Sequence, residues 1–195
     1  MKIYFVRHGE ASHLEEDWYK VKISRKEYIK KMIEWEHVDL TEQGRAQAAN
    51  AVQKLPNNYK YIYSSPLQRT RQTAELLNVF DKKIQCVHDL KEIVTTPPKI
   101  FMFNRLSIYT WIWICIIFSL LNGHVFRIIK KTRKLYKILL NKNEDMVVVS
   151  HAMRIRSFVF YAHFMPGLKV TAKDFSTCGV SVVETKNKKI LIRQI

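Results

Sequence analysis

Residues 3–10 read Ile-Tyr-Phe-Val-Arg-His-Gly-Glu, an apolar run that ends abruptly at an arginine and a histidine. All four apolar residues are β-branched or aromatic, and a short run of such residues is typical of a buried strand. The run is too short for the apolar part of a signal peptide, so we expect no export. The segment therefore predicts a strand that presents Arg7 and His8 at its carboxyl end.

Three later strand candidates are also followed by polar side chains. These strands are predicted at residues 60–63, 84–87 and 146–149. The polar residues that follow them in turn are Ser64, Ser65 and Arg69, then Glu92, then Ser150 and His151. Because ligands of open parallel α/β sheets bind beyond the carboxyl ends of the strands, we expect these side chains to meet Arg7 and His8 at one edge of a sheet.

Helical signals separate the strand candidates. Thr41 is placed to cap a helix that runs to about Lys54. Ser64-Ser65-Pro66 predicts a second helix, with Pro66 at its first position and its end near Asn78. Further helices are predicted at residues 126–140 and 151–164, and a closing hairpin at residues 180–184 and 189–193. Strands and helices alternate, which predicts an α/β fold with a mainly parallel sheet.

The residue types predicted at this edge suit the binding and transfer of a phosphoryl group. A neutral imidazole attacks phosphorus to form a phosphohistidine, and guanidinium groups bind phosphoryl oxygens in a bidentate way. Gly9 has no Cβ and is expected to let the backbone approach the phosphate. A second imidazole donates a hydrogen bond, and a carboxyl group protonates the leaving oxygen. Each residue alone is more often an ordinary surface residue, but their joint occurrence favours catalysis.

The composition is strongly basic. Lys and Arg total 33 and Asp and Glu total 17, which gives a formal charge of +16. Such an excess attracts phosphoesters, nucleic acid or anionic lipid, although a solvated basic surface explains it equally well. The basic residues are spread along the chain without a nucleic-acid-binding motif, so we expect no nucleic-acid partner.

Length and cysteine content indicate one domain in a reducing compartment. The 195 residues, 47% of them hydrophobic, are enough for one substantial core but scarcely for two. Cys86, Cys115 and Cys178 are widely spaced and include no CxxC pair. This pattern argues against a disulfide framework and a cysteine-based zinc site, and we expect reduced thiols in a cytoplasmic protein.

The motifs together resemble those of the histidine phosphatase (phosphoglycerate mutase-like) superfamily. The matching segments occur in the order of that family, at Arg7–Glu10, Leu40–Ala48, Ser64–Ala74, Leu90–Glu92 and Val147–His151. Only Leu90–Glu92 would be weak evidence alone. The resemblance implies a three-layer α/β/α fold in a single domain over residues 1–195, with a helical insertion that acts as a lid.

The resemblance also implies a role for each residue at the sheet edge. His8 would be the nucleophile, and the phosphate pocket would be completed by Arg7, Arg69 and His151. Glu92 would be the general acid and then the base that activates water. Arg69, rather than Arg71, matches the phosphate-binding arginine of the family. No metal or organic cofactor is implied, and the substrate would be a small phosphorylated molecule or a phosphoprotein.

Several positions depart from the phosphoglycerate mutase pattern. Leu14 stands where mutases carry an asparagine, and Ala152 stands where they carry a glycine. Glu92 runs into Ile93 instead of a tyrosine-glycine segment. These differences favour a phosphatase that hydrolyses a phosphomonoester or phosphohistidine through a covalent phosphohistidine at His8. Two alternatives remain open: phosphoryl transfer of the mutase type, and a catalytically idle module of the same fold that binds a membrane or a partner.

Residues 101–121 are the part of the chain least similar to the family. Residues 106–121 carry no charge, but these sixteen residues are fewer than the ~20 that usually span a bilayer. A basic helix follows them, so the segment fits either a membrane-contacting element or a lid over the active site. We favour a lid over residues 101–140, because a membrane span would separate Glu92 from His151. Peripheral contact with anionic membrane is compatible with both interpretations.

Overall fold

A six-stranded sheet forms the centre of the computed structural model, which describes residues 1–12, 19–93, 96–99 and 105–185. The elements, in chain order, are β1 (Lys2–Arg7), β2 (Lys22–Ser24), α1 (Arg25–Glu34), α2 (Glu42–Ala51), β3 (Tyr61–Ser64), α3 (Gln68–Leu77), β4 (Ile84–Cys86), β5 (Arg105–Ser107), α4 (Ile108–Leu121), α5 (His124–Lys142), β6 (Met146–Ser150), α6 (Ala152–Phe164), β7 (Leu168–Ala172) and β8 (Val180–Thr185). Short 3-10 turns follow α1, α2 and β4, at Trp35–His37, Val52–Lys54 and His88–Leu90.

The strands of the sheet run in the order β4-β3-β6-β1-β8-β7. The first four are parallel, and β8 and β7 extend the sheet in antiparallel fashion. Arg7 is level with Ser150, and Ser64 is level with both Val149 and Cys86. The parallel strands therefore end together, which confirms the predicted α/β fold with a mainly parallel sheet.

Helices cover both faces of the sheet, so the three-layer prediction is also confirmed. The central strand β6 is buried on both sides, as the continuous apolar run of its sequence requires. Val147 and Val149 belong to the core beneath α2 and α3. Met146 and Val148 belong to the core beneath α5 and α6. Alternate side chains of β6 thus belong to the two cores on opposite faces of the sheet.

The two predicted helix starts have different outcomes. Thr41 caps α2 as predicted, because its hydroxyl accepts a hydrogen bond from the backbone N–H of Gly44 at 3.0 Å. The prediction for α3 is wrong by two residues, since this helix begins at Gln68 and Pro66 lies before it. The hydroxyl of Ser65 accepts weakly from the N–H of Leu67 at 3.4 Å. The turn before the helix thereby places Ser65 at the sheet edge.

The closing hairpin has a different partner strand from the predicted one. β8 matches the predicted strand at residues 180–184, and it pairs with β7, which the sequence did not predict. β7 is an edge strand with mostly exposed side chains, although its sequence, Leu168–Ala172, alternates apolar and polar residues as a half-buried strand does. The predicted strand at residues 189–193 lies outside the described residues.

A third, smaller core lies outside the two faces of the main sheet. It joins α1, α4 and the two-stranded β2–β5 sheet, and together we call these elements the cover. The core consists of Ile23, Tyr28, Ile108, Trp111 and Cys115. Trp111 is fully buried, and its indole N–H donates to the carbonyl oxygen of Ile23 at 2.9 Å. Two segments about 80 residues apart in sequence therefore fold as one unit.

The predicted lid at residues 101–140 is divided between the cover and the main domain. The α4 helix belongs to the cover, whereas α5 contributes Leu135, Tyr136, Leu139 and Leu140 to the core beneath the sheet. The repeat of these apolar positions at one helical face explains why that half of α5 packs on the sheet. Residues 101–104 lie outside the described residues.

Apolar side chains are exposed where α4 meets α5. They include Ile117, Leu120, Leu121 and Phe126. No described helix is by itself long and apolar enough to cross a membrane; α4 and α5 meet that measure only as a pair bent by 86°. The contact with anionic membrane stays a prediction.

We expect Gly44→Ala to destabilise the protein, although alanine in a helix is ordinarily favoured over glycine by up to about 1 kcal/mol. A Cβ on Gly44 would overlap the backbone of Glu10, which leads from β1 into the site. Overpacking of this kind costs about 1–3 kcal/mol. Thermal unfolding tests this, with the exposed Ala46→Gly as a control that alters helix propensity alone. A raised melting temperature for Gly44→Ala would contradict the close approach.

Candidate active site

The five residues predicted at the sheet edge come together in the structure. Arg7 and His8 lie at the end of β1, Arg69 in the first turn of α3, and His151 directly after β6. The rings of His8 and His151 are 5.1 Å apart between centroids, and Arg69 reaches both of them. Glu92 lines the same cavity as Arg7, His8 and Arg69.

The hydrogen bonds of His8 define which ring nitrogen can react. His8 is 3% exposed, and its Nδ1 lies 2.7 Å from the carbonyl oxygen of Gly9. A carbonyl oxygen only accepts, so Nδ1 carries the proton and Nε2 carries the lone pair. Consistently, Nε2 accepts a hydrogen bond from Nε of Arg69 at 3.3 Å. His8 is thus held as a neutral imidazole with its basic nitrogen towards the arginine.

Arg69 lies at the centre of the group. Besides His8, its guanidinium contacts Nδ1 of His151 at 3.4 Å and donates to the carbonyl oxygen of Trp35. Burial lowers the pKa of Arg69 to about 10, opposed by the negative charges of Glu92 and Glu36. The side chain nevertheless remains a cation at neutral pH. Its three contacts orient the guanidinium between the two histidines.

Arg7 brings a second, partly buried positive charge. One terminal nitrogen donates to the carbonyl oxygen of Phe175 at 3.0 Å. Its Nε is buried and has no hydrogen-bond partner among the described residues. Burial also lowers the pKa of Arg7. Within the described part of the chain, neither Arg7 nor Arg69 forms an ion pair with a carboxylate within 4.0 Å. Buried charges are costly unless an anion offsets them, so this site is suited to bind one.

Glu92 is held at the amino end of α6. Its Oε1 accepts from the backbone N–H groups of Ile93 at 2.9 Å and Arg154 at 3.2 Å. Burial raises the pKa of Glu92, and these N–H donors only partly oppose the shift. Both of these bonds use Oε1. A carboxyl group with a raised pKa is suited to donate a proton near neutral pH.

Arg154 supports Glu92, and sequence reasoning missed it. It is 6% exposed, and its Nε donates to the carbonyl oxygen of Lys91 at 3.2 Å. Together with the backbone bond to Oε1, this holds the 91–92 segment against α6. An arginine in a helix is usually exposed, so nothing in its sequence neighbourhood distinguishes it. The available signal in the sequence was that Arg154 lies three residues after His151, because residues at that spacing lie on the same face of a helix.

Ser65, which the sequence placed at this sheet edge without a role, and Thr73, which it did not indicate, also contact the site. The hydroxyl of Ser65 lies 3.0 Å from Nε2 of His151 and fixes the ring so that Nδ1 faces Arg69. The hydroxyl of Thr73 accepts from the backbone N–H of Gly9 at 3.1 Å. Both are small polar residues four positions from Arg69 in sequence. They orient the ring of His151 and the backbone of Gly9 rather than a ligand.

The structure gives Gly9 a different role from the one predicted. Its backbone N–H is occupied by Thr73, and a Cβ at this position would overlap the carbonyl group of Gly44. The glycine is therefore required for the packing of the β1 loop on the start of α2.

The cover is attached to the floor of the site by two polar contacts. One is the bond from Arg69 to the backbone of Trp35, directly after α1. The other is the ion pair between Lys91 and Glu36, at 2.8 Å between Nζ and Oε2. Between cover and floor lies a cavity of about 500 Å³. The polar residues of the sheet edge thus open into a cavity beneath the cover.

We expect Arg69→Ala to weaken the binding of inorganic phosphate at least tenfold, because hydrogen bonds to charged groups contribute about 1.5–3 kcal/mol. Arg71→Ala is the matched control, since Arg71 is exposed on the same helix. Isothermal titration of both variants and the wild type with phosphate measures the difference. Equal affinities for Arg69→Ala and the wild type would place the anion elsewhere.

Comparisons with known proteins find a matching family and similar folds. Residues 3–95 match the model of the histidine phosphatase superfamily (branch 1). The fold resembles phosphoserine phosphatase from Entamoeba histolytica, with a TM-score of 0.60, 22% identity and coverage of 93% of this chain and 89% of that chain. It also resembles α-ribazole phosphatase from Shigella flexneri, with a TM-score of 0.58, 13% identity and coverage of 96% and 97%.

A third similar structure is the mycobacterial glucosyl-3-phosphoglycerate phosphatase, with a TM-score of 0.54, 17% identity and coverage of 85% of this chain and 80% of that chain. A comparison with curated proteins found no match. The motif order at the sheet edge, the matched segment and the fold over nearly the whole chain agree with one another. Residues 3–95 therefore match the histidine phosphatase superfamily, within a fold that resembles these phosphatases over nearly the whole chain.

Proposed function

We propose that the protein is a phosphatase that hydrolyses a phosphomonoester, or a phosphohistidine, through a covalent phosphohistidine at His8. The observation that carries this proposal is that the buried Arg69 contacts the basic nitrogen of a neutral histidine, while neither it nor the partly buried Arg7 has a carboxylate partner in the described residues. A phosphoryl dianion would offset both charges and place phosphorus in front of Nε2.

The first step forms the phosphoenzyme. The lone pair of His8 Nε2 attacks phosphorus, a P–N bond forms, and the P–O bond to the leaving alcohol breaks. The proton of the Glu92 carboxyl group moves to the departing oxygen. Arg7 and Arg69 stabilise the charge on the phosphoryl oxygens in the transition state. The Gly9 carbonyl oxygen, which accepts from Nδ1, stabilises the positive ring that results.

His151 changes its hydrogen bond when the anion binds. In the structure its Nδ1 lies 3.4 Å from Arg69, a contact that uses the lone pair. A nearby dianion favours a proton on this nitrogen, which can then donate to a phosphoryl oxygen. The hydroxyl of Ser65 can accept from or donate to Nε2, so it supports either protonation state.

The second step releases phosphate. Glu92, now a carboxylate, removes a proton from a water molecule as the water oxygen attacks phosphorus. The P–N bond breaks, and its electron pair returns to Nε2 of His8. The carboxyl group and the neutral imidazole are thereby restored. A mutase would instead have to keep water away from the phosphohistidine and return the phosphoryl group to a second alcohol.

We expect His8→Ala to lower turnover by roughly three orders of magnitude or more, because it removes the nucleophile. His163→Ala, an exposed histidine on α6, is the control and should keep wild-type turnover. Rapid quenching of the wild type with a ³²P-labelled phosphomonoester should trap an acid-labile, base-stable label that His8→Ala lacks. Residual turnover of more than a few per cent in His8→Ala would exclude His8 as the nucleophile. The absence of both label and turnover in the wild type would favour the catalytically idle module.

We expect the rate with a poor leaving group to fall as pH rises through the raised pKa of Glu92, because the general acid must be protonated. Glu92→Gln should remove this alkaline limb and slow alkyl phosphates far more than activated aryl phosphates. Glu75→Gln, an exposed carboxylate on α3, should leave the pH profile unchanged. The comparison uses kcat/KM, which excludes the later hydrolysis of the phosphoenzyme, and an equal fall in kcat/KM on both substrate classes would exclude Glu92 as the acid.

A further inference from the structure

The cavity above the reactive histidine has a polar floor and apolar walls. Arg7, His8, Arg69 and Glu92 form the floor. The walls come mainly from the cover and the start of α5, and they include Tyr28, Met32, Ile112, Cys115, Ile116 and Ile128. The polar end thus suits a phosphoryl group, and the remaining space suits a different kind of chemical group.

The walls offer few polar partners. Glu36 and Lys91 are already paired with each other at 2.8 Å. The Tyr28 hydroxyl is hydrogen-bonded with Cys115, and burial raises the pKa of that phenol. Ser119 belongs to the buried side of α4, and Arg156 is exposed, with its guanidinium over the ring of Phe175. Above the floor, the described lining contains no Asp, Asn, Gln or His side chain.

We propose that the substrate is a phosphomonoester of an apolar alcohol, such as an alkyl or isoprenoid alcohol; this rests on the phosphatase function proposed above. The hydroxyl groups of a sugar, or the ammonium and carboxylate of an amino acid, would lose water in this cavity and gain few partners. An apolar chain loses nothing of this kind and gains from the removal of its surface from water.

The size and surroundings of the cavity fit the same class. Its volume of about 500 Å³ lies within the ~300–1,000 Å³ of sites that enclose small organic molecules. A second, more open cavity of about 1120 Å³ shares Ile112, Ile116, Met153 and Arg156 with it. Tyr109 and Trp113 line this outer cavity. A long apolar chain could therefore continue outwards along apolar side chains.

A chain-length series tests the proposal. Values of kcat/KM for butyl, hexyl and octyl phosphate, used below their micelle concentrations, should rise about three- to fourfold per methylene, which is the effect of burying one such group. Glycerol 3-phosphate and phosphoserine should be poorer substrates than butyl phosphate. A flat series, or a preference for the polar phosphates, would overturn the proposal while leaving the phosphatase function intact.

A matched pair of variants assigns the effect to the cavity wall. Ile116 lines the cavity, whereas its neighbour Ile117 is 53% exposed on the outside of α4. Ile116→Asn should reduce the dependence on chain length, and Ile117→Asn should retain it. Equal behaviour of the two variants would contradict recognition by this wall. If Ile116→Asn fails to fold, the milder Ile116→Ala should still lower kcat/KM for octyl phosphate more than for butyl phosphate.

A binding measurement separates this proposal from the proposed reaction. Octylphosphonate and methylphosphonate are not hydrolysed, so their affinities for the wild type, measured by calorimetry, do not depend on catalysis. Octylphosphonate should bind at least a hundredfold more tightly, and equal affinities would overturn the apolar site. Tight binding of octylphosphonate without hydrolysis of any phosphomonoester would instead refute the phosphatase function and keep the apolar site.

Discussion

The position of Arg69 between two histidines is the constraint on which the rest of the site depends. A buried guanidinium is tolerated only where its donors find partners, and those partners come from three separate segments. They are Nε2 of His8 after β1, Nδ1 of His151 after β6, and the backbone of Trp35 after α1. The parallel pairing of β1 and β6 is required to bring the two histidines within reach of one side chain.

The same constraint explains how the surrounding polar residues are used. His8 and His151 can each direct a lone pair at Arg69 only if their other ring nitrogens have partners of their own. Gly9 supplies a carbonyl oxygen to His8, and Ser65 supplies a hydroxyl to His151. The close contact of Gly9 with Gly44 and the late start of α3 are consequences of placing these partners. The positive charge that remains is what an anion would offset.

The parts of the fold that could be predicted are those that local patterns encode. Apolar runs mark the strands β1, β3, β4 and β6, and polar residues follow each of them, so the sheet edge and its five candidate residues could be anticipated. The β2–β5 pair could not, because each strand has only three residues and is defined by its partner rather than by its own composition. Arg154 was missed for a related reason, since only its contact with Lys91 distinguishes it. β7 does carry an alternating apolar pattern over Leu168–Ala172, and this signal was overlooked.

For the cover, the sequence predicted the apolar element near the site but not the helix against which it packs. An uncharged stretch at residues 106–121 indicated an apolar element near the site, yet its partner α1 came from a polar segment almost 80 residues earlier. Tyr28 and Ile23 are scattered among charged residues there, and their common core with Trp111 exists only in three dimensions. The cover contacts the catalytic floor chiefly through the backbone of Trp35 and the side chain of Glu36. Because neither contact depends on which apolar side chains line the cavity, the walls can change with the substrate's alcohol while the arginines and histidines keep their geometry.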